Sequence, residues 1–258
     1  MALITCNFYS DVLEISTSAI VIIPEQKKEG GKVGEIDINK KYPTLWLLHG
    51  LSDDATSWTR QSSIERYANE RGIAVVMPQV QRSFYANMCY GGNYWTFLTI
   101  ELPKKVRHFF PLSCERNDNF IAGLSMGGYG AYKWAFNYPN LFSAVASLSG
   151  VVDIKNFPNN KDVQMKDFDL IYGNHEIEGT KHDLYYLTRD ENIEDLSHLH
   201  VYQCCGTEDF LYEDNVRFRD NLQNKLPNYV YSEGPGSHEW NFWDQQIKKI
   251  INWLPIKE

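Results

Sequence analysis

Short apolar runs recur along this chain with helix-patterned segments between them, and that alternation narrows the fold more than any other feature. TLWLLHG (44–50), IAVVMPQ (73–79), FIAGLS (120–125), AVASLSG (144–150), VYQCCG (201–206) and NYVYSEG (228–234) read as buried strands. Between them, SSIERYANERG (62–72) sets Ile64, Tyr67 and Ala68 on one helical face and stops at Gly72. Residues 129–138 do the same with Ala131, Trp134, Ala135 and Tyr138 before Pro139, and residues 214–226 and 238–254 complete the helices. Strands apolar on both faces, alternating with helices, imply a mostly parallel sheet covered on both sides and joined by right-handed crossovers. The predicted class is α/β. LITCNFYS and SAIVIIP precede this array and predict an antiparallel pair at the sheet edge, followed by a polar surface loop, EQKKEGGKVGEIDINKKYP.

The chain has 258 residues, 43% of them hydrophobic, and shows no internal repeat or shift in composition. We therefore expect one domain over 1–258, with an irregular excursion at about 155–200 that is rich in Asp, Asn and Lys. A net charge of −8 argues against nucleic acid, whose phosphates call for a basic patch. The N-terminal stretch lacks a basic region ahead of an apolar one, and no window approaches the length of a membrane helix. Five cysteines without C-x-x-C spacing fit reduced thiols, so a cytoplasmic protein is expected, with no metal site, no membrane partner and no cofactor. The adjacent Cys204 and Cys205 read as packing residues on opposite faces of a strand. The oligomeric state is left open, a homo-oligomer included.

Within FIAGLSMGGYGA, Gly-x-Ser-x-Gly is a weak signal by itself. Its setting strengthens it, because it follows a strand signal and opens a helix, as a nucleophile elbow requires. Flanking glycines let strand and helix approach closely while the Ser125 hydroxyl stands exposed. A serine hydroxyl needs a general base, and seven histidines are available. Elbow hydrolases run in chain order Ser, acid, His, which disfavours His49 and His108. His175 and His182 fall in the excursion, and His198 and His200 lead into a strand rather than out of one. His238 alone follows the last strand, in GPGSH, and is the candidate base. Asp209, just after the strand VYQCCG, is the candidate acid, with Asp153 as the alternative one strand earlier. Its neighbour Glu208 reads as solvent-facing.

An oxyanion hole needs two backbone N–H groups aimed at the developing charge. Met126 follows the nucleophile and supplies one; Leu51, in LLHGLSDD, is the candidate for the other. His49 reads as a structural residue of that loop, since the mechanism uses one base. Trp58, Tyr85, Tyr90, Tyr94, Trp95 and Phe97 lie near these loops, and core packing explains each as readily as substrate contact. Of these, Trp58 and Trp95 are carried as candidate substrate-binding residues.

Taken together, HGLSDDATSW (49–58), NYWTFLTIELP (93–103), AGLSMGGYGA (122–131), GTED and GSHEW resemble the esterase D group of the α/β-hydrolase superfamily, most of all the bacterial tributyrin esterases. The resemblance spans nearly the whole chain. It implies an α/β-hydrolase fold and a serine carboxylesterase acting on small-molecule, short-chain acyl esters through an acyl-enzyme. It puts the nucleophile on Ser125, the acid on Asp209, the base on His238 and the donors on Leu51 and Met126. The related S-formylglutathione hydrolases usually carry a cysteine just after the His-Gly-Leu loop, where this chain has Ser52-Asp53. Three alternatives remain at this stage: a thioesterase on S-formylglutathione, a carbohydrate acetyl or feruloyl esterase, and a non-catalytic binding protein that kept the fold.

Overall fold

Among the described residues, eight strands make one sheet, ordered β1-β2-β4-β3-β5-β6-β7-β8. The computed structural model describes residues 1–25, 37, 39–159 and 167–256. Most of the polar loop expected before β3 and residues 160–166 of the expected excursion lie outside the described residues. The strands are β1 (Ala2–Ser10), β2 (Ile15–Ile23), β3 (Thr44–Leu48), β4 (Ala74–Pro78), β5 (Asn119–Leu124), β6 (Ala144–Leu148), β7 (His200–Gly206) and β8 (Tyr229–Gly234). β1 pairs antiparallel with β2, and β2 antiparallel with β4; every pairing from β4 through β8 is parallel. This is the α/β-hydrolase arrangement expected from the sequence, antiparallel edge included.

Burial explains the sequence pattern. β3, β4, β5 and β6 are buried at every residue, so none of them can alternate polar with apolar side chains. β1 alternates between partly buried and exposed positions, as an edge strand with one wet face does. β8 departs from expectation: it is half exposed, because it is the outer strand and has only β7 beside it.

The helices that matter here are α1 (Ile64–Arg71), α2 (Leu102–Phe109), α3 (Met126–Asn137), α4 (Tyr212–Leu222) and α5 (Trp240–Trp253). One face of the sheet packs against α2, α3 and α4. The other packs against α1 and α5. Cys204 and Cys205 are both buried on β7, where successive side chains point to opposite faces. Periodicity does not signal the helical turns that start at Tyr94 and run through a π turn at Phe97–Glu101 into α2. In the region expected to be an excursion, short helices form at Phe168–Tyr172, Leu184–Leu187 and Asp190–Ile193. That region is tied to α3, since the Tyr129 hydroxyl donates to the His182 carbonyl at 2.8 Å.

Candidate active site

Ser125 sits where β5 turns into α3, with φ +53° and ψ −119°. A non-glycine residue rarely adopts a positive φ, and its surroundings must hold it there. The Ser125 N–H donates to the Leu148 carbonyl (2.9 Å), while its own carbonyl accepts from the N–H groups of Tyr129 (3.1 Å) and Val151 (3.2 Å). The flanking glycines have a steric reason. A Cβ on Gly123 would lie 2.3 Å from the Gly127 carbonyl oxygen, and one on Gly127 would lie 2.5 Å from that of Leu48. Side chains at these positions would push α3 off the sheet.

His238 lies on the loop between β8 and α5. Its Nε2 is 3.0 Å from Ser125 Oγ, and its Nδ1 is 2.9 and 3.1 Å from the two Asp209 carboxylate oxygens. A carboxylate only accepts, so it fixes the proton on Nδ1 and leaves Nε2 free to accept from the serine hydroxyl. The Asp209 side chain is fully buried and also accepts from the Leu211 N–H (2.9 Å). Phe210 and Trp243 flank the imidazole, with ring centroids 4.6 and 4.8 Å away. Asp153, the alternative acid, instead accepts from Asn156, through its N–H (3.3 Å) and its Nδ2 (2.8 Å).

Among the described residues, neither the Leu51 nor the Met126 amide has a hydrogen-bond partner, so both remain available to a substrate oxygen. Met126 N–H is free because it opens α3 and has no carbonyl one turn earlier to bind. His49 shapes the Leu51 loop. Its Nε2 accepts from the Val80 N–H (3.2 Å), which makes Nδ1 the protonated nitrogen, donating to the Gly50 carbonyl (2.7 Å). Burial holds its pKa below the usual histidine value and keeps the ring neutral.

A strut that sequence reasoning missed runs from α3 to this loop. Lys133, on α3, is fully buried; its ammonium donates to the Tyr85 carbonyl (2.8 Å) and stands 4.4 Å from the centre of the Trp95 ring. Burial drives the pKa of Lys133 well below that of an exposed lysine. Phe84 and Tyr85 both have positive φ, at +47° and +53°. The Tyr85 hydroxyl then donates to the His49 carbonyl (2.8 Å). The only sequence signal was a lysine inside an otherwise apolar and small-residue helix.

The pocket over Ser125 encloses about 470 Å³. Leu51 and His238 line it together with Phe84, Val151, Phe157 and Trp240. Trp58 and Trp95, the tryptophans expected against substrate, are absent from this lining. Trp58 is fully buried, donates its indole N–H to the Leu48 carbonyl (3.0 Å) and braces Trp240 edge-on from behind. Trp95 lies beneath Lys133 and stacks on Tyr138. The tryptophans near Ser125 come instead from α5, Trp240 and Trp243. Among the described residues no group of three His, Cys, Asp or Glu is placed to hold a metal ion, and no helix is long and apolar enough to cross a membrane.

Comparison with known proteins is consistent with this geometry. A family model described as "Putative esterase" matches residues 32–254. An acetyl esterase of Caldicellulosiruptor saccharolyticus is 29% identical over 262 residues, covering 98% of each chain. Among solved structures, the fluorophosphonate-binding serine hydrolase FphF of Staphylococcus aureus is 40% identical with a TM-score of 0.88. The S-formylglutathione hydrolase FrmB of the same organism is 41% identical with a TM-score of 0.84, and each of the two matches covers 99% of both chains.

Proposed function

The chain belongs to this esterase family of the α/β-hydrolase superfamily and is a carboxylic ester hydrolase, and on that premise we propose that Ser125, His238 and Asp209 hydrolyse short-chain acyl esters of the tributyrin type. The observation that carries the reading is the continuous hydrogen-bonded line from Asp209 through His238 to Ser125, beside two unpaired amides. Ser125 Oγ attacks the ester carbonyl carbon while His238 Nε2 takes its proton. The carbonyl oxygen gains the negative charge and accepts from the Leu51 and Met126 amides, each such donor contributing about 3 kcal/mol in the transition state. The C–O bond to the alcohol breaks as His238 returns the proton to the departing oxygen. Water, deprotonated by His238, then attacks the acyl-enzyme, and the acid leaves as Ser125 regains its proton. The size and apolar floor of the pocket support a short acyl chain, as does the acetyl esterase among the relatives.

A second reading, hydrolysis of the S-formylglutathione thioester, is favoured by the 41% identity to FrmB. The test of the chemistry is Ser125→Ala assayed with p-nitrophenyl butyrate, where turnover should fall about 10⁶-fold if the three residues act as a unit. Comparable turnover would overturn the assignment. Values of kcat/KM over acetyl, butyryl, hexanoyl and octanoyl esters, with S-formylglutathione included, test the substrate class.

A further inference from the structure

The pocket over Ser125 has two zones of different chemistry. Its floor is apolar: Phe84, Leu124, Val151 and Phe157 are each at most 4% exposed. Its rim carries the acidic residues Asp53 and Glu239, the first partly buried and the second exposed. No lysine or arginine is among the described lining residues. Neither rim carboxylate is in an ion pair with a described residue. Arg60, the first cation after the Asp53 loop, pairs with Asp54 instead (3.4 Å). The same lining carries exposed aromatic surface: Phe210, 39% exposed, and Trp240, whose ring meets Trp243 edge-on at 5.4 Å.

Two unpaired carboxylates and aromatic rings lining one pocket attract a cation, through charge and through the negative faces of the rings. The net charge of −8 adds a longer-range field of the same sign. An anion meets the reverse. A glutathione thioester brings two carboxylates and one ammonium, a net negative charge, to a rim whose described residues include no lysine or arginine.

We propose that this rim selects substrates by charge: esters with a cationic alcohol react fastest, their uncharged isosteres more slowly and anionic esters slowest. The inference rests on Ser125 being the nucleophile. It makes Asp53 and Glu239 specificity residues of that site and disfavours S-formylglutathione as a substrate.

The test compares kcat/KM for acetylcholine, for its uncharged carbon isostere 3,3-dimethylbutyl acetate, and for 4-acetoxybutanoate. At low salt we expect acetylcholine to exceed the isostere about three- to tenfold and the anion to fall below it by a similar factor, as two exposed charge contacts imply. Both ratios should approach one at about 0.5 M NaCl, where the Debye length is only a few ångströms. In the Asp53→Asn/Glu239→Gln double variant they should approach one at low salt as well. Each ratio is internal to one protein preparation, so a loss of folded enzyme cancels. A wild-type ratio of one or below, or a ratio that the double variant leaves unchanged, would overturn the proposal while the nucleophile assignment stands. Hydrolysis of the isostere by Ser125→Ala would overturn that assignment, and no turnover of any of the three esters would overturn both.

Discussion

The Tyr85 hydroxyl donates to the carbonyl of His49, 36 residues earlier in the chain, at 2.8 Å. Through that bond the strand-to-loop turn carrying the Leu51 amide is fixed to α3, the helix that follows Ser125, because Lys133 on α3 donates to the Tyr85 carbonyl. The candidate nucleophile and the candidate oxyanion donor are thus both tied to α3.

Tyr85→Phe removes one hydrogen bond and little volume. If the bond positions the donor loop, kcat should fall about tenfold, the equivalent of one net hydrogen bond, while KM changes little. Steady-state kinetics with p-nitrophenyl butyrate read the split. A rise in KM at constant kcat would mean that the bond serves substrate binding instead.

Lys133→Met keeps most of the buried side-chain volume but leaves the Tyr85 carbonyl without its donor. Losing the partner of a buried acceptor costs about 1–3 kcal/mol. Urea unfolding at neutral pH should show that loss, and an unchanged midpoint would show that the buried amine is dispensable.

Asp209→Asn should lower kcat about 10⁴-fold, because an amide no longer fixes the His238 proton on Nδ1. The fold should survive, since the replacement fills the same volume and can still accept from the Leu211 N–H. Circular dichroism alongside kinetics checks both halves of the expectation.

Glu208 was expected simply to face solvent. It is exposed, yet its carboxylate accepts from the Gly236 N–H, and its own N–H donates to the Gly236 carbonyl (3.1 Å), two residues before His238. Glu208→Gln can still accept at that position, whereas Glu208→Ala cannot. A kcat reduced about fivefold in the alanine variant and restored in the glutamine variant would show that the bond holds the histidine loop, from the magnitude of one hydrogen bond. Equal kcat in both variants would deny it.

Stability should fall as pH drops below about 6.5, the ordinary histidine value. Burial lowers the pKa of His49 and, aided by Lys133, pushes that of His182 down to about 2. Below 6.5 the unfolded chain therefore binds protons that the folded chain refuses, so unfolding free energy rises with pH across that window. The slope approaches about 1.4 kcal/mol per pH unit for each such histidine. Urea titrations between pH 5 and 7 measure it, and His182→Gln should reduce the slope; an unaltered slope would remove His182 from the account.

The α/β class was legible in the sequence because β3 to β6 are buried on both faces, so each appears as an unbroken apolar run. The elbow was legible too, since only residues without side chains fit between β5 and α3. Chain order and position after strands point to Ser125, Asp209 and His238. Their approach to within hydrogen-bonding distance is a property of the parallel sheet, which aligns the ends of β5, β7 and β8.

The lining of the pocket was not legible. Trp58 lies near the candidate oxyanion loop in the chain but is turned into the core, while Trp240 and Trp243, from α5, line the pocket over Ser125. Local pattern determines which segments are strands, helices and tight turns, because those depend on neighbours within a few residues. Which face of an aromatic meets solvent, and that a buried lysine supports a distant loop, depends on contacts between segments tens of residues apart, and only the packed structure fixes those.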